Sequence, residues 1–269
     1  MKILQLSINL STAIFISLVI NCLFSFPAKT EAIKTVQNQS VPEQPEKLSQ
    51  DKQFDFSGDG RPGRRKGGGS RSPCPTSEIP LTALVPDSNI GTTVSDRPSL
   101  WFYVPYNPQQ VGAGEFVLQD EQENNVYRQT FTLPQAPGLV NLKLPQNEPP
   151  LDVNRPYRWH FKLYCNDYPS STANFVEGWI ERIPLDRDLA ARLQKKSNPA
   201  YKEYKNELIW FDSLDTLARL RSHKNNPQLE RDWIKLLSAT GVDLDDLSEQ
   251  PLTGEVIYTN QNNNLGLTH

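Results

Sequence analysis

Between residues 79 and 183 the apolar side chains come in short bursts of period two, cut by Pro, Gly, Asn and Asp. Seven segments carry the pattern: "IPLTALVP", "LWFYVPY", "EFVLQD", "NVYRQTFTL", "GLVNLKL", "PYRWHFKLYC" and "ANFVEGWIERI". Aromatic and β-branched residues suit a pleated, half-buried surface, so each segment predicts a strand. In "PYRWHFKLYC", alternation puts Tyr157, Trp159, Phe161, Leu163 and Cys165 on one face and Arg158, His160, Lys162 and Tyr164 on the other. The first set is the core face. Seven such strands in about a hundred residues predict a mainly β domain over 74–184, an antiparallel sandwich of the Ig-like kind.

After Pro184 the apolar period lengthens to about 3.6, the spacing of an amphipathic helix. Asp186 is placed to cap a short helix carrying Leu189 and Leu193. Tyr201, Tyr204, Leu208 and Phe211 then form one stripe that Leu214, Leu217 and Leu220 extend. Asn226 and Pro227 supply an N-cap and first turn for a last helix with Leu229, Trp233, Leu236 and Leu237 inward, closed by Gly241. The expectation is a helical hairpin or three-helix region over 185–250, packed on the sandwich, followed by a flexible tail over 251–269.

The N-terminal third has a different texture. Lys2 precedes an uncharged run that is most apolar over 13–20, and Thr30 and Ala32 sit at the small-residue positions of a cleavage site. That pattern predicts an export signal over 1–32, the alternative being an uncleaved anchor. Residues 33–73 are rich in Gln, Glu, Lys, Ser, Pro and Gly, with few large apolar side chains to offset ordering entropy, and so predict a disordered linker. Cys22 leaves with the signal. Cys74 and Cys165 are then the two cysteines of a chain sent to an oxidising compartment, and a bridge between them is expected, with two separate buried thiols as the alternative. Such a bridge contributes about 3–5 kcal/mol in the chain-entropy model.

Composition narrows the chemistry. With 28 basic and 31 acidic residues the chain is near balance, so no field over the whole surface recruits nucleic acid or membrane. The one strong local charge is "GDGRPGRRKGGGSR", residues 58–71, which opens with a formal match to the dinucleotide fingerprint. A dinucleotide loop needs a buried strand before it and a helix after it, and neither can be read here. Asp55, Ser57 and Asp59 imitate the start of a calcium loop, but its twelfth position is Lys66, where a bidentate Glu is required. What is left is polyanion contact through Arg61, Arg64, Arg65, Lys66 and Arg71, or a solvated leader to the first strand.

Catalytic sets are scarce. The three histidines, His160, His223 and His269, are scattered, and no nucleophile elbow, zinc-protease helix or zinc-spaced cysteine pair occurs. Glu177 and Glu181 share a strand face but lie about 13 Å apart along it, wide for a glycosidase pair. Trp101, Tyr103 and Tyr106 form either a sugar-stacking platform or a face covered by the helices. No catalytic residue, metal or cofactor is expected.

Taken together, "GRPGRRKGGGSRSPC", "LTALVP", "SLWFYVPY", "EFVLQD", "FVEGWIERIPLD" and "LIWFDSLDTLARLR" resemble the exported cyanobacterial family catalogued as domain of unknown function 928. The likeness spans residues 60–247. It implies export and a β-rich core with helices behind it, and it carries no activity or site residues. The expected function is that of a non-enzymatic protein of the periplasm or cell surface, acting through contacts with an envelope or secreted protein. The alternatives are a module binding carbohydrate, including acidic polysaccharide, or other polyanions, and a hydrolase. Nucleic acid is not an expected partner, nor is integral membrane insertion once the signal is removed.

Overall fold

The alternating segments all become strands, and three further short strands join them. The computed structural model describes residues 54–68, 74–134, 137–165 and 172–259, so the expected signal, the early linker, Arg71 and the last ten residues lie outside the described residues. In chain order the strands are β1 (Thr82–Ala83), β2 (Ile90–Thr93), β3 (Ser99–Val104), β4 (Ala113–Gln119), β5 (Asn125–Thr132), β6 (Gly138–Lys143), β7 (Pro156–Tyr164), β8 (Asn174–Arg182), β9 (Leu252–Glu255) and β10 (Ile257–Tyr258). They form a four-stranded sheet, β1-β3-β6-β9, and a six-stranded sheet, β10-β5-β4-β7-β8-β2. Most neighbours are antiparallel, but β2 runs parallel to β8 and β9 parallel to β6.

The two sheets face each other across aromatic side chains. Phe102 of β3 stacks on Phe161 of β7 at 4.0 Å between centroids and meets Trp159 edge-on at 5.6 Å. Tyr157, Trp159, Phe161 and Leu163 are all buried, as their alternation requires. Cys165, partly buried against this core, is joined to Cys74 across 91 residues of sequence.

Four helices follow β8: α1 (Arg187–Lys195), α2 (Ala200–Asn206), α3 (Trp210–His223) and α4 (Pro227–Leu237). Asp186 caps α1 by accepting from the Asp188 and Leu189 amides, and Asn226 caps α4 through Gln228 N. The stripe from Tyr201 to Leu220 is not one helix, because Leu208 adopts a left-handed conformation (φ 57°) that separates α2 from α3. The turn delivers Trp210 and Phe211 onto β2, where a Cβ on Gly91 would lie 2.8 Å from the Phe211 ring. Glycine is what permits that approach. Nor do the helices end the fold: β9 and β10 return to the two sheets, so the tail expected from residue 251 is ordered as far as Thr259.

The larger correction concerns the linker. Residues 54–68, expected to be disordered, form a strap against the body. Phe56 is buried with its ring edge-on to Trp210, and its amide donates to Thr240 O at 2.8 Å. Farther along, Arg64 exchanges both backbone hydrogen bonds with Glu177 of β8, at 3.1 and 2.9 Å. One residue on, Arg65 O accepts from Ala83 N of β1 and Gly67 N donates to Leu81 O. Successive peptide groups of an extended chain point to opposite sides, so this segment pairs with a strand of each sheet. Composition undervalued it because glycine weakens intrinsic order, whereas here Gly67 allows contact: a Cβ there would fall 2.7 Å from Asn174 Oδ1.

Candidate functional site

The strap settles where its cations go. Arg61 lies over the Trp179 ring at 4.7 Å and pairs with Glu121 at 3.6 Å, and Arg64 lies over Phe175 at 4.6 Å. Trp179 Nε1 donates to Pro62 O at 2.9 Å, which fixes the indole under the guanidinium. Arg65 turns the other way and donates to the carbonyls of Val242 and Asp243, while Lys66 pairs with Asp246 at 3.6 Å. Four of the five residues considered for polyanion contact thus have partners within the fold, and the fifth, Arg71, lies outside the described residues.

The outer face of the six-stranded sheet is a lattice of paired charges. Glu115, buried on β4, accepts from Arg128 of β5 and Lys162 of β7, both at 3.1 Å. Glu177 Oε2 receives Arg158 Nη2 and His160 Nδ1, each at 3.0 Å, and His160 Nε2 lies 3.0 Å from Gln119 Oε1. Burial pushes the His160 imidazole below the ordinary histidine value, while Glu177 acts to raise it. The histidine is held on both sides by neighbours across the sheet, with no hollow among those described beside it. Glu177 is engaged in this lattice through Arg158 and His160.

The aromatic platform is not exposed. Trp101, Tyr103 and Tyr106 are 6%, 7% and 3% accessible. Trp101 lies under α3 and donates to Asp215 Oδ1 at 3.1 Å, and Tyr106 O–H accepts from Asn174 Nδ2 at 2.6 Å. Alternation along β3 turns Phe102 to the other sheet and Trp101 to the helix, so covering rather than exposure is the outcome.

Two arrangements were missed by the sequence reading because they join segments far apart in the chain. Asp212, one turn before Asp215 on α3, accepts from Thr93 Oγ1 at 2.7 Å and Val94 N at 3.1 Å. Burial raises its carboxyl to about 6, the range of a general acid. Both carboxylates border a hollow of about 140 Å³, well below the size of ordinary small-molecule sites.

The second arrangement is a cleft of about 580 Å³ between α2 and α4. Lys202 and Lys205 of α2 and Lys235 of α4 line it, together with Phe54, Asn206 and Gln228. Its one acidic group, Asp232, accepts from Tyr201 O–H at 2.5 Å and Gln228 Nε2 at 2.9 Å and lies 3.6 Å from Lys202 Nζ. Lys205 sits over the Phe54 ring at 4.0 Å. Lysines at i and i+3 share a helix face, which places Lys202 and Lys205 on one wall. Leu208, just after α2, and Ile234 on α4 are large apolar residues left 43% and 47% exposed, and neither is among the residues lining the cleft.

Among the described residues no group of three or more His, Cys, Asp or Glu is placed to hold a metal ion, and no helix is long and apolar enough to cross a membrane. No curated protein matches the sequence. Residues 66–252 match the family model described as Domain of Unknown Function (DUF928), from the strap to the first residue of β9, and the chain belongs to that family.

Proposed function

We propose that the chain is an exported protein of the cell envelope that works without catalysis, by holding an acidic segment of a partner protein in the cleft between α2 and α4. The observation that carries this reading is the cleft itself: the ammonium groups of Lys202, Lys205 and Lys235 around about 580 Å³, with Asp232 as the one acidic residue of its lining. A hollow lined by more cations than anions suits an acidic segment. Two further features support a binding role. His160 is committed to the charge lattice, and the raised carboxyl of Asp212 opens on a hollow below the size of ordinary small-molecule sites. The disulfide and the signal-like N-terminus support export. The facing sheets support reading the β part as an Ig-like sandwich with helices laid against it.

The test compares the mature chain from residue 33 with a Lys202→Glu/Lys235→Glu variant of unchanged circular dichroism. Each is titrated with an oligoglutamate peptide and used to retain proteins from intact envelopes. The expected result is salt-sensitive binding of the peptide, and of one envelope protein, by the native chain alone. Equal retention by both chains, or no retention by either, overturns the reading.

A further inference from the structure

His160 on β7 is gripped at both ring nitrogens, and the chemistry of the two grips places its protons. Nδ1 lies 3.0 Å from Glu177 Oε2, an oxygen that also takes Arg158 Nη2. A carboxylate paired with a guanidinium only accepts, so Nδ1 carries a hydrogen. On the other side, Nε2 lies 3.0 Å from Gln119 Oε1 of β4. The orientation of that amide is set by its far end, where Gln119 Nε2 donates to Glu123 O and to Asn125 Oδ1, both at 3.1 Å. Turned over, the amide would set its oxygen against the Glu123 carbonyl, two acceptors with no hydrogen between them. Nε2 therefore carries a hydrogen as well, and the arrangement is that of an imidazolium.

The surroundings hold that charge loosely. Arg158 and Lys162 stand two residues either side of His160 on the same strand face, and Arg128 adds a third cation from β5, against the one carboxylate of Glu177 on β8. Glu115 of β4 offsets Arg128 and Lys162, and Glu123 lies 3.9 Å from Arg158. Burial and the three cations push the imidazole below the ordinary histidine value, which Glu177 acts to raise. The side chain is 15% exposed, so solvent can take its proton.

Of the two grips, the one on the carboxylate is the stronger. Loss of a proton therefore falls on Nε2, whose lone pair then faces Gln119 Oε1, and the amide must turn over to offer its NH2 group. Turning deprives Glu123 O and Asn125 Oδ1 of their donor. Glu123 belongs to the tight β4–β5 turn, where it is left-handed at φ 62° and its amide donates to Asp120 O. Glu121 of the same turn pairs with Arg61 of the strap.

We propose that His160 and Gln119 form a proton-linked switch of the β4–β5 turn: the imidazolium ties the turn down through Gln119, and release of the Nε2 proton to solvent reverses the amide and frees the turn. This stands apart from the lysine cleft and needs no partner.

The test is a 15N NMR titration of a chain starting at residue 33, from about pH 4.5 to about pH 8, a range that spans the ordinary histidine value. The His160 signals are told from those of His223 and His269 by their loss in His160→Gln. Nδ1 is expected to stay protonated throughout while Nε2 loses its proton, so that the neutral ring is the Nδ1–H tautomer. The Gln119 side-chain amide and the Glu123 backbone amide are expected to shift with the same midpoint. Gln119→Glu sets against Nε2 a group that only accepts, and is expected to raise the midpoint by about one unit or more. A ring that keeps one charge over the whole range, a neutral ring protonated on Nε2, Gln119 signals that stay still through the midpoint, or an unmoved midpoint in folded Gln119→Glu overturns the proposal. The first three readouts come from the native chain and decide the matter should Gln119→Glu fail to fold.

Discussion

His160 and Glu177, partners across β7 and β8, meet through Nδ1 and Oε2 at 3.0 Å, and the same carboxylate oxygen takes Arg158 Nη2. Glu177 also exchanges backbone hydrogen bonds with Arg64, so one residue joins the charge lattice to the strap. Glu177→Gln keeps the backbone pairing and removes the charge. Hydrogen bonds to charged groups contribute more than neutral ones, and the expected loss is about 1–3 kcal/mol in urea unfolding. Glu181→Gln, on the same strand face, is expected to stay within about 0.5 kcal/mol. Equal effects would remove the distinction between the two carboxylates.

A substitution pair tests the strap without touching charge. Gly67→Ala places a methyl 2.7 Å from Asn174 Oδ1 and 3.1 Å from Leu81 Cβ, and is expected to lower stability by about 1–3 kcal/mol. Gly58→Ala, with nothing within 4 Å, is expected to be neutral or slightly stabilising through the unfolded chain. If the two alanine variants unfold alike, the strap is not held as described.

Asp212 sets a pH dependence. Its folded value, about 6, is raised above the ordinary 3.8, so the folded state binds the proton more tightly than the unfolded chain. The stabilisation is fully present below the unfolded value and is lost as pH rises through the folded one. Over pH 4–8 this amounts to about 3 kcal/mol at most. Asp212→Asn is expected to flatten that slope, gaining on the native chain at pH 8 relative to pH 4. Parallel stability profiles of the two chains would show that Asp212 is not the source.

The Cys74–Cys165 bridge predicts that a chain starting at residue 33, made in an oxidising compartment, takes up no alkylating label until it is reduced. Replacing both cysteines by alanine is expected to cost about 2–5 kcal/mol, measured by urea unfolding. Two labelled thiols in the native mass spectrum would refute the bridge.

How far the sequence reached follows from what each element depends on. Strands such as β7 were legible because one face is core and the alternation is unbroken. The short β2, β9 and β10 were not, because "IGTT", "LTGE" and "IY" hold too few apolar positions to show a period. The division of α2 from α3 was hidden by a continuous apolar stripe, which gives no sign of the left-handed conformation at Leu208. Neither the lysine cleft nor the meeting of Trp101 and Asp215 has a local signature, for each assembles residues from separate segments.

The strap that bridges the two sheets also constrains the order of assembly. Translation supplies Arg64 and Gly67 early, yet the partner of Arg64 is Glu177, and Phe56 waits for Thr240. Closing such distant pairs is slow relative to helix or hairpin formation. This early segment is therefore among the last to find its place, and until then β1 and the first half of β8, beyond the reach of β2, present open edges that invite pairing with another chain.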